Sequence, residues 1–310
     1  MISEGISSFV MPTKRPEMMD LREYKYLRSC SLILNSKTGK ALDLSGLRVS
    51  FSVTKGDYSS PNHAEISVYN LSDGTIAKVR NEYKEVILSA GYSDKLGLIF
   101  RGDIRRFWIG GQWGIEYDKT PTDKILTLSC LDGDSALKKS FLCKSISAGS
   151  TFETALKECE DVLEGNGIGR GIESNLPPGE ALPRGKAFFG SVSNCLSSFS
   201  RNTDSTWSIQ DGRLFVLSQN KISKSEEMVF SPEHGLIGNP KRGDRMVEFS
   251  TLLENRISVH DNVRIKGVQG IYEITGRVVT IQHKGDTHGN EWITNIKAVI
   301  SDVTEESVVK

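Results

Sequence analysis

Leu47-Arg48-Val49-Ser50-Phe51-Ser52-Val53-Thr54 carries an apolar side chain at every second position. Successive side chains of a strand point to opposite faces, so Leu47, Val49, Phe51 and Val53 share a buried face and the residues between them face water. A helix would scatter the same residues around its axis. Working outward, the pattern predicts further strands at Ala64–Leu71, Glu85–Tyr92, Leu98–Phe107 and Ile125–Leu131, divided by turn-rich pieces such as Lys55-Gly56-Asp57 and Ser93-Asp94-Lys95. That spacing suits a barrel or a sandwich. The style returns at Met246–Leu252, Asn262–Lys266, Ile271–Gln282 and Trp292–Ile300, with turns at Gly267, Gly270 and Lys284-Gly285-Asp286. Two β domains are therefore expected, over residues 24–144 and 223–302.

Residues 145–222 between them read as a small α/β insert. Ser150 and Glu153 have capping-box spacing, and Phe152, Ala155, Leu156, Cys159, Val162 and Leu163 form one apolar stripe, with Gly165 expected as the left-handed C-terminal residue. A loop through Pro177, Pro178 and Pro183 leads to a second helix, from Ser191 to about Asn202, with Val192, Cys195, Leu196 and Phe199 on one side. Trp207 to Val216 then reads as a hairpin around Asp211-Gly212, a pair suited to positive φ. In the first β domain Ser72 can cap a short helix whose face is Ile76 and Val79, placed to plug one end of a barrel. Residues 1–23, with Pro12 and Pro16, read as an arm that orders on a partner, and residues 303–310 as a tail.

A chain of 310 residues is long enough for more than one core. Its 39 basic and 39 acidic residues balance, leaving no overall field to draw it to nucleic acid or an anionic membrane. No apolar run approaches the roughly 18 residues that span a bilayer, so no membrane insertion is expected, and the start Met1-Ile2-Ser3-Glu4-Gly5 has no secretory pattern. Synthesis in a cytoplasm follows from that reading. Cys30, Cys130, Cys143, Cys159 and Cys195 are odd in number and form no CxxC pair. Cys130, Cys159 and Cys195 stand where apolar residues belong, and are read as reduced, buried small hydrophobes.

No catalytic, cofactor-binding or metal-binding residue emerges. Gly165–Gly171 is glycine-rich but follows a helix, whereas a phosphate cradle links a strand to a helix N-terminus. Gly179 to Lys186 resembles a Walker A sequence with one residue too many and Ala187 where a hydroxyl is required. His283, Asp286 and His288 are a conceivable metal cluster, and a solvated hairpin tip is the simpler reading. His63, His234 and His260 are isolated, with no serine or cysteine in a nucleophile-elbow context. Glu158, Glu160 and Asp161, like Glu226 and Glu227, read as solvated faces rather than as a glycosidase pair. Trp207 and Trp292 read as core or rim, and one of Trp108 and Trp113 as exposed.

The pieces AEISVYNLS (Ala64–Ser72), VILSAGY (Val86–Tyr92), IFRGDI (Ile99–Ile104), GKAFFG (Gly185–Gly190) leading into a helix, Trp207–Leu217 and GLIGNP (Gly235–Pro240) occur in an order that resembles the baseplate hub proteins of contractile-tailed bacteriophages. The resemblance covers about residues 30–302, and GLIGNP, opening the last barrel, is its most specific element. It implies a mainly β (α+β) fold with two tail-tube-like antiparallel β-barrels flanking the insert, which packs outside the ring. It also implies a non-enzymatic role without cofactors. The protein would be a homotrimer whose pseudo-sixfold ring joins the sixfold tail tube protein to the threefold central spike protein. Tape-measure and baseplate wedge proteins would be further neighbours, and DNA would pass through the channel without specific binding. The expected location is the virion's tail baseplate, after synthesis in the host cytoplasm. The alternative from another class is a cell-wall-binding or wall-degrading tail module.

Overall fold

A computed structural model describes residue 25 and residues 27–36, 38–93, 95–108, 116–117, 124–171, 184–203, 205–218, 227–267 and 272–300. The first β region contains β1 (Arg28–Ser36), β2 (Ala41–Asp43), β3 (Val49–Gly56), β4 (His63–Tyr69), α1 (Asp73–Glu82), β5 (Tyr83–Tyr92), β6 (Lys95–Trp108), β7 (Glu116–Tyr117) and β8 (Lys124–Leu131). Along β3 the side chains of Val49, Phe51 and Val53 are buried while Ser50, Ser52 and Thr54 are only partly covered, as the alternation requires. Along β4, Ala64, Ile66 and Val68 do the same. Strand order runs β3-β4-β8-β6-β5-β1-β2, antiparallel throughout. The ends of that order share one core, with Leu32 and Leu34 of β1 in the same cluster as Phe51 and Val53 of β3, so the sheet curls around its contents. Ser72 caps α1 by accepting from the Thr75 N–H, and α1 turns Ile76 and Val79 into that core.

The insert runs α2 (Asp134–Lys139), β9 (Phe141–Ile146), α3 (Phe152–Glu164), β10 (Gly169–Arg170), β11 (Lys186–Ser191), α4 (Val192–Asn202), β12 (Ser205–Gln210) and β13 (Arg213–Ser218). α3 and α4 lay Ala155, Leu156, Cys159, Val192, Cys195 and Leu196 against Trp207, Ile209 and Val216 of the β12–β13 hairpin. Ala136 and Leu142 belong to the same core, so it begins upstream of residue 145. Two local expectations are corrected. The cap of α3 is Thr151, which accepts from the Thr154 N–H, rather than Ser150. Gly165 stays right-handed, and the left-handed residue is Gly167 at φ 91°, because the Ile168 N–H reaches back to the Leu163 carbonyl and closes the helix there. α4 has Ser191 as its cap and ends at Asn202.

The second β region contains β14 (Met228–Phe230), a 3-10 turn (Pro232–His234), β15 (Leu236–Arg242), β16 (Met246–Leu252), β17 (Asn262–Lys266), β18 (Glu273–Asp286) and β19 (Trp292–Ile300). Its core gathers Phe230, Phe249, Val263, Ile265, Val278, Ile281 and Ile296. β18 is long enough to serve both regions. It pairs with β17 and β19, and its last residues pair antiparallel with β3, from Thr280 opposite Gly56 to Asp286 opposite Ser50. Fourteen of the described strands thus share one sheet. The fold is mainly β, with helices concentrated in the insert. Residues 1–24 and 301–310, including the arm and the tail, lie outside the described residues.

Candidate functional site

The β3–β18 seam is where the two β regions and the insert meet. On β3 the inward parity of Val49, Phe51 and Val53 continues into Lys55, and Asp57 just beyond the strand is buried too, so this end buries charge. The hairpin tip of the insert supplies the partner. Asp211 and Gly212 both have positive φ, 51° and 77°, the geometry of a tight turn that follows the strand twist. Lys55 Nζ donates to Asp211 Oδ1 and Oδ2 at 2.8 and 2.7 Å, and the lysine side chain is only 9% exposed. Asn62 Nδ2 donates to the Ile209 carbonyl and to Gln210 Oε1, both at 2.8 Å, while Gln210 Nε2 donates to the Gly56 carbonyl at 2.8 Å. Asp132, just after β8, accepts from the Gly212 N–H at 3.1 Å. A buried pair stripped of one partner leaves an uncompensated charge, so these bonds fix where the insert sits.

β18 adds a second polar knot to the same end. Arg277 Nη1 lies 2.8 Å from His260 Nδ1 and 3.4 Å from Asp57 Oδ2. An arginine only donates, so the imidazole accepts through Nδ1 and is neutral. Burial and the Arg277 charge hold His260 down to about 4. Burial pushes the Asp57 carboxyl up, against the opposing pull of Arg277.

His283 overturns a sequence expectation. It is not at a solvated tip but inside β18, 1% exposed, with Nδ1 2.9 Å from Thr294 Oγ1. Burial, and then the nearby Lys55 charge, hold it down to about 3. Lys284-Gly285-Asp286 looks like a turn, yet the strand passes through it. Gly285 is required because a Cβ there would collide with the Phe51 ring and lie 2.8 Å from the Trp292 ring. These two rings meet edge to face at 5.5 Å across the seam. The true turn holds His288, exposed, whose N–H donates to Asp286 Oδ1 at 2.9 Å while the same carboxylate pairs with Arg48 at 2.8 Å. The structure therefore buries His283 and commits Asp286 to Arg48 and the turn backbone. Among the described residues no three His, Cys, Asp or Glu side chains group as a metal site.

The other weighed residues find structural places. His63 is exposed near Ser129, and His234 belongs to the 3-10 turn, where Ser231 Oγ lies 2.6 Å from its Nδ1. Arg170 reaches Glu160, Asp161 and Glu164, and Lys144 pairs with Glu158, so these carboxylates are ion-paired along the α3 surface. Glu227 accepts from Arg264 at 2.7 Å. Gly169 and Arg170 of the glycine-rich stretch form β10, paired parallel to β13. Cys130, Cys159 and Cys195 are buried, and burial pushes the Cys159 thiol up to about 12. Trp207 and Trp292 are buried. Trp113, Glu226, the three insert prolines and most of the Walker-like stretch lie outside the described residues, as does the side chain of Trp108.

The main path of the long sheet ends in β2 and β15, while β14, paired with β17, and β7, paired with β8, branch off it. Both ends are guarded as exposed edges usually are. β2 is three residues long. β15 carries Pro240, a register break between Ile237 and Lys241, and the basic pair Lys241-Arg242. Ile237 on this edge, and Met246 and Leu252 on the neighbouring β16, are large apolar residues left exposed. The GLIGNP segment forms this edge: Gly235, at φ 90°, closes the 3-10 turn and delivers the chain into β15. Lys25 donates to the His234 carbonyl at 2.9 Å, which ties residue 25 to this same place.

Sequence reasoning missed the seam knots. The available signal was parity: Lys55 and His283 occupy inward positions of strands whose other inward residues are apolar, and Asp57 keeps the β3 parity just beyond the strand.

No family model and no curated protein sequence matches the chain. Solved structures do. The prophage MuSo2 43 kDa tail protein from Shewanella oneidensis superposes with a TM-score of 0.60 at 10% identity, covering 87% of this chain and 97% of that one. The tail protein from Neisseria meningitidis MC58 gives 0.58 at 10% identity, covering 89% and 97%. An Escherichia coli component of the type VI secretion system, described as structurally similar to T4 bacteriophage tail proteins, gives 0.50 at 8% identity, covering 82% and 73%. At these identities the likeness is one of fold, and it spans both β regions and the insert: the chain has the fold of phage tail proteins.

Proposed function

We propose that this chain is a structural, non-enzymatic subunit of a tail baseplate hub. Three copies close a ring of six β modules that joins a sixfold tube to a threefold spike around a DNA channel. The observation that carries this reading is the β3–β18 seam. Within one chain it places two β modules side by side in one sheet, with β2 and β15 at the two ends of its main path. Head-to-tail repetition of such a unit generates either a closed ring or an open fibre, and a three-chain ring is the closed form that presents three copies and six modules at once. The modules lie within residues 24–144 and 223–302, and the insert, whose core reaches back from 145–222 to Ala136, packs outside the ring. The fold shared with two tail proteins supports the same assignment. Partners on this reading are the tube, the spike, and tape-measure and wedge proteins, in a virion tail baseplate.

Threefold image averaging of the purified assembly, alone and with the candidate spike, tests it. Six β modules around an open channel are expected. Isolated two-module particles under both conditions would overturn the ring.

A further inference from the structure

The tip of the insert's hairpin brings two carboxylates and one ammonium together, with Lys55 and Asp132 buried and Asp211 partly exposed. Lys55 Nζ is engaged with both oxygens of Asp211. Asp132 is 1% exposed, its Oδ1 takes the Gly212 N–H, and its Oδ2 has no hydrogen-bond partner among the described residues. The charged groups on the elements around it have partners of their own, and Asp103 of β6, opposite Leu131, accepts from the Ser135 N–H at 2.9 Å. Just after β3, Asp57 is tied to Arg277 of β18, and His283 of β18 faces Lys55 as a neutral imidazole. On α2, Asp134 is paired with Arg105 and Lys138. On the hairpin itself Arg213 is exposed, and His260 takes its hydrogen bond from Arg277. With Asp132 ionised the cluster holds two negative charges against one positive charge, and with Asp132 protonated it is neutral.

We propose that Asp132, Asp211 and Lys55 form a proton-linked latch, which clamps the β12–β13 hairpin and the insert behind it onto the first β region when Asp132 carries a proton and loosens when it is ionised. Burial, and then the Asp211 charge, push the Asp132 carboxyl up to about 7, against the pull of Lys55 and the amides of Gly212 and Asp211. A released hairpin exposes Asp132 to water, where an aspartate titrates near 3.9. The folded value lies above the released one, so the clamp is complete below about pH 4, weakens as the pH rises toward 7, and then levels off. Between pH 5 and pH 8 the linkage raises the hairpin's opening equilibrium on the order of tens-fold.

Hydrogen exchange of the 209–212 amides in the full chain, corrected for base-catalysed chemistry, measures that opening. The wild type should lose protection tens-fold from pH 5 to pH 8, and Asp132→Asn, neutral at every pH with an acceptor oxygen kept, should remain flat. An equal loss in both would overturn the latch. A carbon-13 titration of the wild-type Asp132 carboxyl gives a second measure that does not depend on the variant folding. A midpoint near 7 is expected, and one near 4 overturns the proposal. Asp211→Asn suits the positive φ of the turn and frees Lys55 to pair with Asp132. It should move that midpoint to lower pH, and an unmoved midpoint would also count against the latch.

Discussion

The first β region and the second close their cores by different means. The first curls seven strands around one core and covers part of it with α1, through Ile76 and Val79. The second has the smaller core and no α-helix among its described residues. It also gives two residues away: Leu253 and Trp292 pack in the core of the first region, not in its own. The seam is therefore more than a row of backbone bonds. Phe51 from one side and Trp292 from the other lock across it, over a glycine that leaves room for both rings. The second region depends on the first for packing, and the first depends on Trp292 to finish its core.

Breaking that dependence should have the largest effect. Phe51→Asp places an unpaired carboxylate in the shared core, at a cost of several kcal/mol, and should leave no folded protein by circular dichroism. Trp292→Ala empties the first core from the second region's side and should cost about 3–5 kcal/mol, lowering both regions in one thermal transition. Two separate transitions, with the first region unchanged, would mean that the regions are independent. Gly285→Ala drives a methyl against both rings and should cost about 1–3 kcal/mol in denaturant unfolding, less in a Trp292→Ala background, where room exists.

A pH contrast sharpens the picture. His283 and His260 have folded values held below that of a free histidine, so the stability they support is present above about pH 6.5 and is lost as the pH falls toward those values. Lowering the pH from 7 to 5 should cost about 2–4 kcal/mol of global stability from the two together, and His283→Gln should remove part of that slope. The seam thus weakens in acid while the insert's hairpin tightens there. The smallest change is local to the first region: Ser72→Ala removes the α1 cap and should cost about 1 kcal/mol without touching the seam.

Much of this architecture was legible in single residues. The alternation at Leu47–Thr54 set β3, and the predicted bounds of β16, β17 and β19 coincide with those found. Asp211-Gly212 gave the hairpin turn, and Ser72 the start of α1. What escaped the sequence is long-range. β3 and β18 are separated by more than two hundred residues, and no local pattern states their register. Lys284-Gly285-Asp286 was misread because its glycine answers to two rings brought together only in the folded chain. The α3 cap and its left-handed glycine were missed by one and two residues, since serine and threonine, like neighbouring glycines, compete for those places by fine geometry. No functional residue set stood out because the surfaces that matter are strand edges and a seam, made of backbone and of charges whose meaning lies in parity.

The central claim is that one chain carries two joined β modules which close threefold into a ring. Light scattering on the purified chain over a concentration series measures this most directly. A species of three times 34.3 kDa, formed alone or on adding the candidate spike, is the predicted result. A 34.3 kDa monomer at every concentration, with and without the spike, would contradict it.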